Sequence, residues 1–256
     1  VVWMVSRLAL GLLPCATFAN AVRAVETGRA RACVLPVDNT LAGSIHEVYD
    51  LLLTGRLAIA GETRVRISHC LLTGPGVGLK DVKRVYSHPV ALAQCAGFFR
   101  RHLRLEIVPF YDTAGAARFI VEKGLRDAAA IAGLPAARAW GTRVLARGLE
   151  DHRENHTRFL LLKPPGPPPR GADKTSVAFT ARNVPGALFK SIGVFALRDI
   201  NLTKIESRPL KGRPWEYCFY LDFMGSPREE RCRNALRHLA EVTESLRVLG
   251  SYRSAR

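Results

Sequence analysis

The feature that most constrains this chain is a proline-rich segment beyond its middle. Residues 163–173 read Lys-Pro-Pro-Gly-Pro-Pro-Pro-Arg-Gly-Ala-Asp. Proline fixes φ and lacks a backbone N–H, so a segment this rich in proline cannot continue a helix or a sheet and forms a stiff, extended spacer. The sequence therefore predicts two domains, residues 1–162 and 174–256, joined by a linker at residues 163–173.

The composition indicates a globular protein with a core, since 48% of the 256 residues are hydrophobic. The six cysteines are scattered and lack the spacing of a zinc site or a redox pair, so we expect reduced thiols and no metal. The apolar stretch from Val1 to Leu13 is shorter than the roughly 20 residues that span a membrane, and we interpret it as a truncated or atypical start.

The net charge of +16 raises the question of nucleic-acid binding. The arginines are spread along the whole chain, without a run of basic residues or a basic patch interleaved with aromatic residues. We therefore do not expect a nucleic-acid or membrane partner. A dispersed positive field instead favours small anionic substrates.

In the first domain, short apolar strands alternate with helical patterns, which predicts an α/β fold with a largely parallel sheet. The predicted strands are residues 32–37, 84–86, 108–111 and 128–131. The predicted helices begin at Ser44, Val90, Ala114 and Leu134, and the second of them extends to His102. His69 lies in an apolar run and is interpreted as a hydrogen-bonded strand histidine.

Polar side chains follow several of these strands. They are Asn39, Thr40, Ser87, His88 and Thr113, and the triplet Thr157-Arg158-Phe159 opens another apolar run. Ligands of open parallel sheets bind beyond the carboxyl ends of the strands, and helix N-termini attract anions. The positions together predict an anion-binding cleft. Each one alone is also explained by a helix cap or an ordinary strand start.

The second domain reads β-α-β-β-α-β, the order of a ferredoxin-like unit. Its predicted strands are residues 175–181, 201–208, 216–223 and 246–251, and its helices begin at Pro185 and Arg228. The third strand is expected to present one apolar side, formed by Tyr217, Phe219, Leu221 and Phe223.

Four segments of the first domain resemble the successive motifs of prephenate dehydratases. They are residues 35–44 (LPVDNTLAGS), 87–92 (SHPVAL), 112–117 (DTAGAA) and 155–159 (NHTRF). The second domain is similar to their regulatory ACT domain, with Gly186-Ala187-Leu188 and Glu206-Ser207-Arg208-Pro209 matching its effector motifs. Residues 44–53 and 246–252 are most similar to the plant and algal branch, the arogenate dehydratases.

This resemblance implies a periplasmic-binding-protein-like catalytic domain of two lobes, followed by the ACT domain. The implied reaction converts arogenate to phenylalanine, or prephenate to phenylpyruvate, without a cofactor or metal. Thr157 would be the catalytic proton donor, and the substrate would contact Asn39, Thr40, Ser87, His88, Thr113, Arg158 and Phe159. Phenylalanine would be the feedback effector, bound by Gly186, Ala187, Leu188, Glu206, Ser207, Arg208 and Pro209. A plastid location and a homo-oligomer formed through ACT domains are also implied.

The chain departs from the family pattern at several positions. Asp38 replaces a usual Glu, Thr40 a usual Ser, and Val90 a frequent Gln. The family's glycine-rich opening motif is not matched between Val1 and Asn20, so the first strand is expected to be missing or replaced. The alternative hypothesis is therefore a catalytically impaired, amino-acid-binding regulatory subunit.

Overall fold

The computed structural model describes residues 11–210, 212–213 and 215–255. The apolar stretch considered above lies outside these residues except for its last three positions. Of the helices in the described residues, none is long and apolar enough to cross a membrane. The helices are α1 (Phe18–Glu26), α2 (His46–Thr54), α3 (Pro89–Ala93), α4 (Ala96–Arg101), α5 (Thr113–Glu122), α6 (Leu134–Trp140), α7 (Ala187–Ala196) and α8 (Glu230–Val242).

Thirteen strands are present in the described part of the chain. They are β1 (Cys33–Asn39), β2 (Gly43–Ser44), β3 (Ala58–Arg66), β4 (Cys70–Thr73), β5 (Arg84–Ser87), β6 (Glu106–Pro109), β7 (Ala128–Ala132), β8 (Arg143–Arg147), β9 (His156–Lys163), β10 (Lys174–Thr180), β11 (Leu202–Pro209), β12 (Tyr217–Met224) and β13 (Ser245–Tyr252). They form sheets of order β2-β1-β9-β3, β6-β5-β7-β4-β8 and β11-β12-β10-β13.

The described residues fall into two compact units. Unit 1 contains Gly11, Asn39–Gly43 and Val65–Thr157, and unit 2 contains Leu12–Asp38, Ser44–Arg64 and the described residues from Arg158 onward. The range between β9 and β10 contains no helix or strand, and Lys163, the first residue of the predicted linker, is the last residue of β9. The predicted domain boundaries do not coincide with these units, and they stay a prediction.

Unit 1 is built around the five-stranded sheet, which is apolar on both faces. Alternate residues of β7 point to opposite sides, with Ala129 and Ile131 in one core and Ala128, Ala130 and Ala132 in the other. Helix α4 supplies Phe98 and Phe99 to the first core, and helix α5 supplies Ala116, Ala117 and Ile120 to the second. Burial on both faces explains why these strands read as continuous apolar runs.

This sheet is mixed, so the expectation of a largely parallel sheet was wrong in part. β5 runs parallel to β6 and β7, whereas β4 runs antiparallel to β7 and β8. The direction of each pairing depends on which strands become neighbours, and β4 lies between β7 and β8, which follow it much later in the chain.

Two of the predicted helices also differ from the structure. The predicted helix from Val90 to His102 is broken at Gln94 and Cys95 into α3 and α4. The carbonyl of Gln94 accepts a hydrogen bond from Asp151 N (2.8 Å), which satisfies the interrupted backbone. Ser44 lies in β2 rather than opening α2, because Ile45 N still donates to Val37 O.

The ferredoxin-like order is confirmed in unit 2, where all three strand pairs of the sheet are antiparallel. One face of β12 packs Leu221 and Phe223 in a core shared with α7 and α8. The opposite face places Cys218 and Tyr220 in a second core with β1, β9, α1 and α2. The apolar side predicted for this strand is therefore only one of its two buried faces, and Tyr217 at the strand start is exposed.

Candidate active site

Asn39 and Thr157 form the centre of the candidate site, and both belong to unit 1. Asn39 is the last residue of β1, and Thr157 is the second residue of the neighbouring strand β9. Asn39 Nδ2 lies 3.0 Å from Thr157 Oγ1 and donates to it. Thr157 is only 8% exposed. Two residues predicted separately from the sequence are thus in direct contact.

The direction of this hydrogen bond is fixed by the turn that follows β1. Asn39 Oδ1 accepts from the backbone nitrogens of Leu41 (3.0 Å) and Ala42 (2.8 Å). A backbone N–H can only donate, so the amide oxygen faces the turn and the amide nitrogen faces Thr157. Thr157 Oγ1 therefore acts as an acceptor and keeps its own proton. No hydrogen-bond acceptor for that proton is found among the described residues.

A second layer of amides supports Asn39. Asn155 Oδ1 accepts from Asn39 Nδ2 (2.7 Å), and Asn155 Nδ2 donates to Gln94 Oε1 (2.9 Å). Gln94 Nε2 donates to Asn39 Oδ1 (3.4 Å), and His69 Nε2 lies 3.0 Å from Gln94 Oε1. The Gln94 oxygen can only accept, so His69 carries a proton on Nε2. Amides with this many partners hold one orientation.

Gln94 and Asn155 were not proposed as site residues from the sequence. Asn155 is fully buried and Gln94 is half-buried. A signal was present at Gln94, an amide between Ala93 and Cys95 in a mostly apolar segment, because a buried amide requires polar partners. His69 is hydrogen-bonded, as predicted, but it directly precedes β4 and does not lie in the strand. Burial raises the pKa of Cys95 to about 12, so this thiol is neutral near pH 7.

The hydroxyl of Ser87 and the ring of His88 both make hydrogen bonds to the backbone of unit 1. Ser87 is buried, and its Oγ donates to Ile131 O (2.6 Å), which ties β5 to β7. His88 Nδ1 accepts from Val90 N (3.2 Å) and caps α3. The helix-cap explanation therefore holds for His88, and the Ser87 hydroxyl is a strand-to-strand link.

Thr40 and Thr113 also lie in unit 1, where Thr40 makes hydrogen bonds to the backbone and Thr113 begins a helix. Thr40 Oγ1 donates to Glu154 O (2.8 Å) and accepts from His156 N (2.9 Å). Thr113 is the first residue of α5, and the side chain that caps this helix belongs to Asp112. Within the described part of the chain, no hydrogen bond joins Thr157 to Thr40, Ser87, His88 or Thr113.

Arg158 belongs to unit 2, where it is surrounded by carboxylates. Its guanidinium lies 2.6 Å from Asp222 Oδ2, 2.9 Å from Glu62 Oε2 and 3.4 Å from Asp38 Oδ2. Burial alone would lower the Arg158 pKa, but these carboxylates, Asp222 foremost, raise it above its ordinary value. The guanidinium of Arg158 is thus paired with protein carboxylates, and its Nη2 donates to Tyr252 Oη (3.4 Å). Phe159 is buried, with 3% exposure.

The predicted effector residues lie on two elements of unit 2. Gly186 adopts φ +75° before α7, whose first residues are Ala187 and Leu188. Glu206, Ser207, Arg208 and Pro209 end β11. Glu206 Oε2 accepts from Ser44 Oγ (2.7 Å), and Arg208 Nη2 lies 3.2 Å from Asp50 Oδ1. This segment therefore contacts the elements that follow β1.

The prephenate dehydratase family model matches residues 4–166. Arogenate dehydratase/prephenate dehydratase 2, chloroplastic, of Arabidopsis thaliana is 47% identical over 251 residues, covering 94% of this chain and 66% of the relative. The chain spans between 62% and 66% of the length of the first plant relatives that it matches.

Two solved structures are similar over nearly the whole chain. One is prephenate dehydratase from Arthrobacter aurescens in complex with L-Phe, at 36% identity and a TM-score of 0.86, covering 94% of this chain and 80% of that structure. The other is GqqA, described as a novel type of quorum quenching acylase, at 38% identity and a TM-score of 0.86, covering 94% and 89%. The prephenate dehydratase structures share the two-lobed, periplasmic-binding-protein-like α/β fold. The chain belongs to the prephenate dehydratase family and is similar to its plant arogenate dehydratases.

Proposed function

We propose that this chain is a decarboxylating dehydratase that converts arogenate to phenylalanine, or prephenate to phenylpyruvate. The observation that carries the proposal is the Thr157 hydroxyl, which accepts from Asn39 and keeps its own proton. The reaction needs a proton on the ring hydroxyl that leaves. A buried hydroxyl with a free proton and a fixed oxygen is suited to deliver it.

The proton and electron movements are simple. Thr157 protonates the ring hydroxyl as its C–O bond breaks, and water leaves. The bond from the ring to its carboxylate breaks in the same process, carbon dioxide leaves, and the released electron pair completes the aromatic ring. The Asn39 amide stabilises the negative charge that develops on Thr157 Oγ1 until a proton returns from water.

The remaining substrate contacts are proposed from the positions of the predicted side chains. His88 and Thr113 lie at helix starts, where N–H groups favour a substrate carboxylate. The hydroxyls of Thr40 and Ser87 still have accepting capacity. For Arg158 we propose an indirect role through Asp38, because its charge is already paired with three protein carboxylates. The buried ring of Phe159 is proposed to fix the strand rather than touch the substrate.

Turnover tests this proposal directly. Arogenate and prephenate are supplied to the purified chain, and the aromatic product is followed by ultraviolet absorbance, with Thr157→Ala as the matched control. We expect turnover by the wild-type chain and a large loss in the variant. Equal rates for the two proteins would contradict the proposal and favour the non-catalytic, amino-acid-binding alternative.

We also propose that phenylalanine regulates the chain through the residues of its two effector motifs, Gly186 to Leu188 and Glu206 to Pro209. Glu206 offers a carboxylate for the effector's ammonium, and it is partly accessible, with 22% side-chain exposure. Leu188 and Phe189 are exposed near the start of α7, at 38% and 75%. Calorimetry should show binding of phenylalanine, and the absence of both heat and a thermal shift would contradict this part.

The exposed apolar side chains of the ferredoxin-like unit support the proposal of a homo-oligomer. Phe189, Leu197, Ile205 and Val248 are at least 45% exposed, and β11 and β13 are the sheet edges. Light scattering should give a dimer or a larger assembly, and a monomer at micromolar concentration would contradict it. A plastid location is proposed from the chloroplastic plant relatives, and imaging of a fluorescent fusion to the full gene product tests it.

A further inference from the structure

Asp38 is a junction at the end of β1. Its Oδ1 lies 2.8 Å from Lys204 Nζ and accepts from Tyr49 Oη at 2.9 Å, while its Oδ2 lies 3.4 Å from Arg158 Nη1. All of these side chains belong to unit 2. The next residue along the chain is Asn39, whose amide holds the Thr157 hydroxyl. The position of the Asp38 backbone therefore influences the residue that supports the proposed proton donor.

Lys204 connects this junction to the predicted effector motif. Its Nζ lies 3.5 Å from Glu206 Oε2 and 3.2 Å from Ser44 Oγ, in addition to its contact with Asp38. Lys204 and Glu206 are two residues apart on β11, so their side chains share one face of the strand. Lys204 belongs to neither effector motif, and it bridges the carboxylate of one of them to β1.

An amino acid bound at Glu206 would change the ion pairs of Lys204. Without an effector, Glu206 shares the ammonium of Lys204 with Asp38. When the ammonium of an amino acid binds Glu206, it competes with Lys204, whose charge then acts on Asp38 alone. Both lysine and carboxylate are mostly buried, with 19% and 22% side-chain exposure, so solvent screens this exchange less than it would on the surface.

We infer that Lys204 is the positioning residue through which an amino acid bound at Glu206 changes the setting of Asp38, and through it Asn39 and the Thr157 hydroxyl. The inference rests on the proposed dehydratase function and its regulation by phenylalanine. It assigns coupling to a contact within one chain. Loss of Lys204 should therefore separate effector binding from effector response.

The experiment compares the full chain with the variants Lys204→Met, Lys204→Arg and Lys123→Met. Methionine keeps much of the length of lysine but not its charge, arginine keeps the charge, and Lys123 is an exposed lysine after α5. For each protein, phenylalanine binding is measured by calorimetry. The ratio of turnover without phenylalanine to turnover at saturating phenylalanine is measured separately, so that each protein is its own reference.

We expect Lys204→Met to bind phenylalanine and to lose inhibition, with a ratio near one, where the wild type shows a ratio of at least about fivefold. Lys204→Arg should retain part of the inhibition, and Lys123→Met should behave as the wild type. A Lys204→Met variant that binds phenylalanine and is fully inhibited would overturn the inference alone, and so would one that no longer binds phenylalanine. A wild-type chain that does not bind phenylalanine would overturn the proposed regulation and the inference together.

Discussion

Asn39 has its amide groups fully engaged within unit 1. Its oxygen accepts from two backbone N–H groups and from Gln94. Its nitrogen donates to Asn155 Oδ1, His156 O and Thr157 Oγ1. An asparagine is needed because the position requires an acceptor on one side and a donor on the other. Aspartate has the same shape and only acceptors, so it reverses the polarity toward Thr157.

Asn39→Asp tests this polarity. The new carboxylate would accept the Thr157 proton and withhold it from the substrate, so kcat should fall by about 10²- to 10³-fold. The matched control is Asn20→Asp on the exposed face of α1, which should leave kcat unchanged. Steady-state kinetics with arogenate measures the effect. A kcat within twofold of the wild type would show that the donor side of Asn39 is irrelevant.

Thr157 and Asn39 could be proposed from the sequence because polar residues at strand ends are recognisable locally. The sequence did not reveal the amides Gln94 and Asn155, nor the pairing of Arg158 with Asp222. These depend on contacts between residues 61 and 64 positions apart in the chain, and no local pattern specifies such partners. A charged residue beside a predicted site is easily interpreted as a ligand contact. Only the structure shows that it is paired with other residues of the protein.

At the scale of elements, β12 illustrates the limit of periodic patterns. Its side chains alternate between two faces as predicted, and helices α7 and α8 cover the face predicted to be apolar. Its other side carries Asp222, which is 5% exposed and paired with Arg158 and Lys174. A polar residue in the alternating position predicts a solvent-facing side. The structure buries that side and satisfies the charge with buried cations.

Asp222→Ala should be strongly destabilising. It removes the carboxylate 2.6 Å from Arg158 Nη1 and 3.7 Å from Lys174 Nζ, and we expect a loss of about 3 kcal/mol in the free energy of unfolding. The control is Glu122→Ala, which removes the exposed pair with Arg118 and should cost far less. Urea unfolding followed by circular dichroism compares them, and equal midpoints for the two variants would contradict the buried-cluster account.

The packing of β13 on β3 gives a second prediction for unit 2. A Cβ at Gly250 would overlap the carbonyl oxygen of Ile59 and lie 2.8 Å from its nitrogen. Gly250→Ala should therefore cost about 1–3 kcal/mol of stability. A Cβ at Gly193 in α7 meets no atom within 4 Å, so Gly193→Ala should be neutral or stabilising by about 0.5–1 kcal/mol. Thermal unfolding of both variants tests whether the close approach of Gly250 to the Ile59 backbone causes the loss. A similar loss in both variants would show that alanine is not tolerated for another reason.

At the scale of the whole molecule, most elements follow from sequence periodicity, and their assembly does not. The strand and helix order of the ferredoxin-like unit was predicted with small shifts at the ends. The shared core between Leu35, Leu160, Tyr220 and Tyr252 was not, because it joins segments on both sides of the proline-rich linker. This core also makes unit 2 sensitive to ionisation of its tyrosines.

Alkaline pH should unfold the protein through Tyr49, Tyr220 and Tyr252. Burial raises the pKa of all three, with nearby Asp38, Cys218 and Asp222 adding to the effect. Unfolded tyrosines lose their protons near pH ~10. The stability that these groups contribute is therefore complete below that pH and is lost as the pH rises toward the folded-state values.

Absorbance at 295 nm and circular dichroism, recorded together during an alkaline titration, test this prediction. The ionisation of these tyrosines should coincide with loss of structure. The Tyr252→Phe variant should show a smaller rise in absorbance at this transition. Replacing the exposed Tyr111 by phenylalanine should leave the absorbance change at the unfolding transition unaltered. Ionisation of the buried tyrosines well before any structural change would contradict the prediction.

The central claim is that the Thr157 hydroxyl, oriented by Asn39, donates the proton that releases water. The most direct measurement is the single-turnover rate constant with arogenate for Thr157→Ser and Thr157→Val. Valine keeps the shape of threonine without a proton to give, so its rate should fall by about 10²- to 10⁴-fold while serine retains much of the activity. A Thr157→Val chain that turns over at a rate close to that of the wild type would contradict the account.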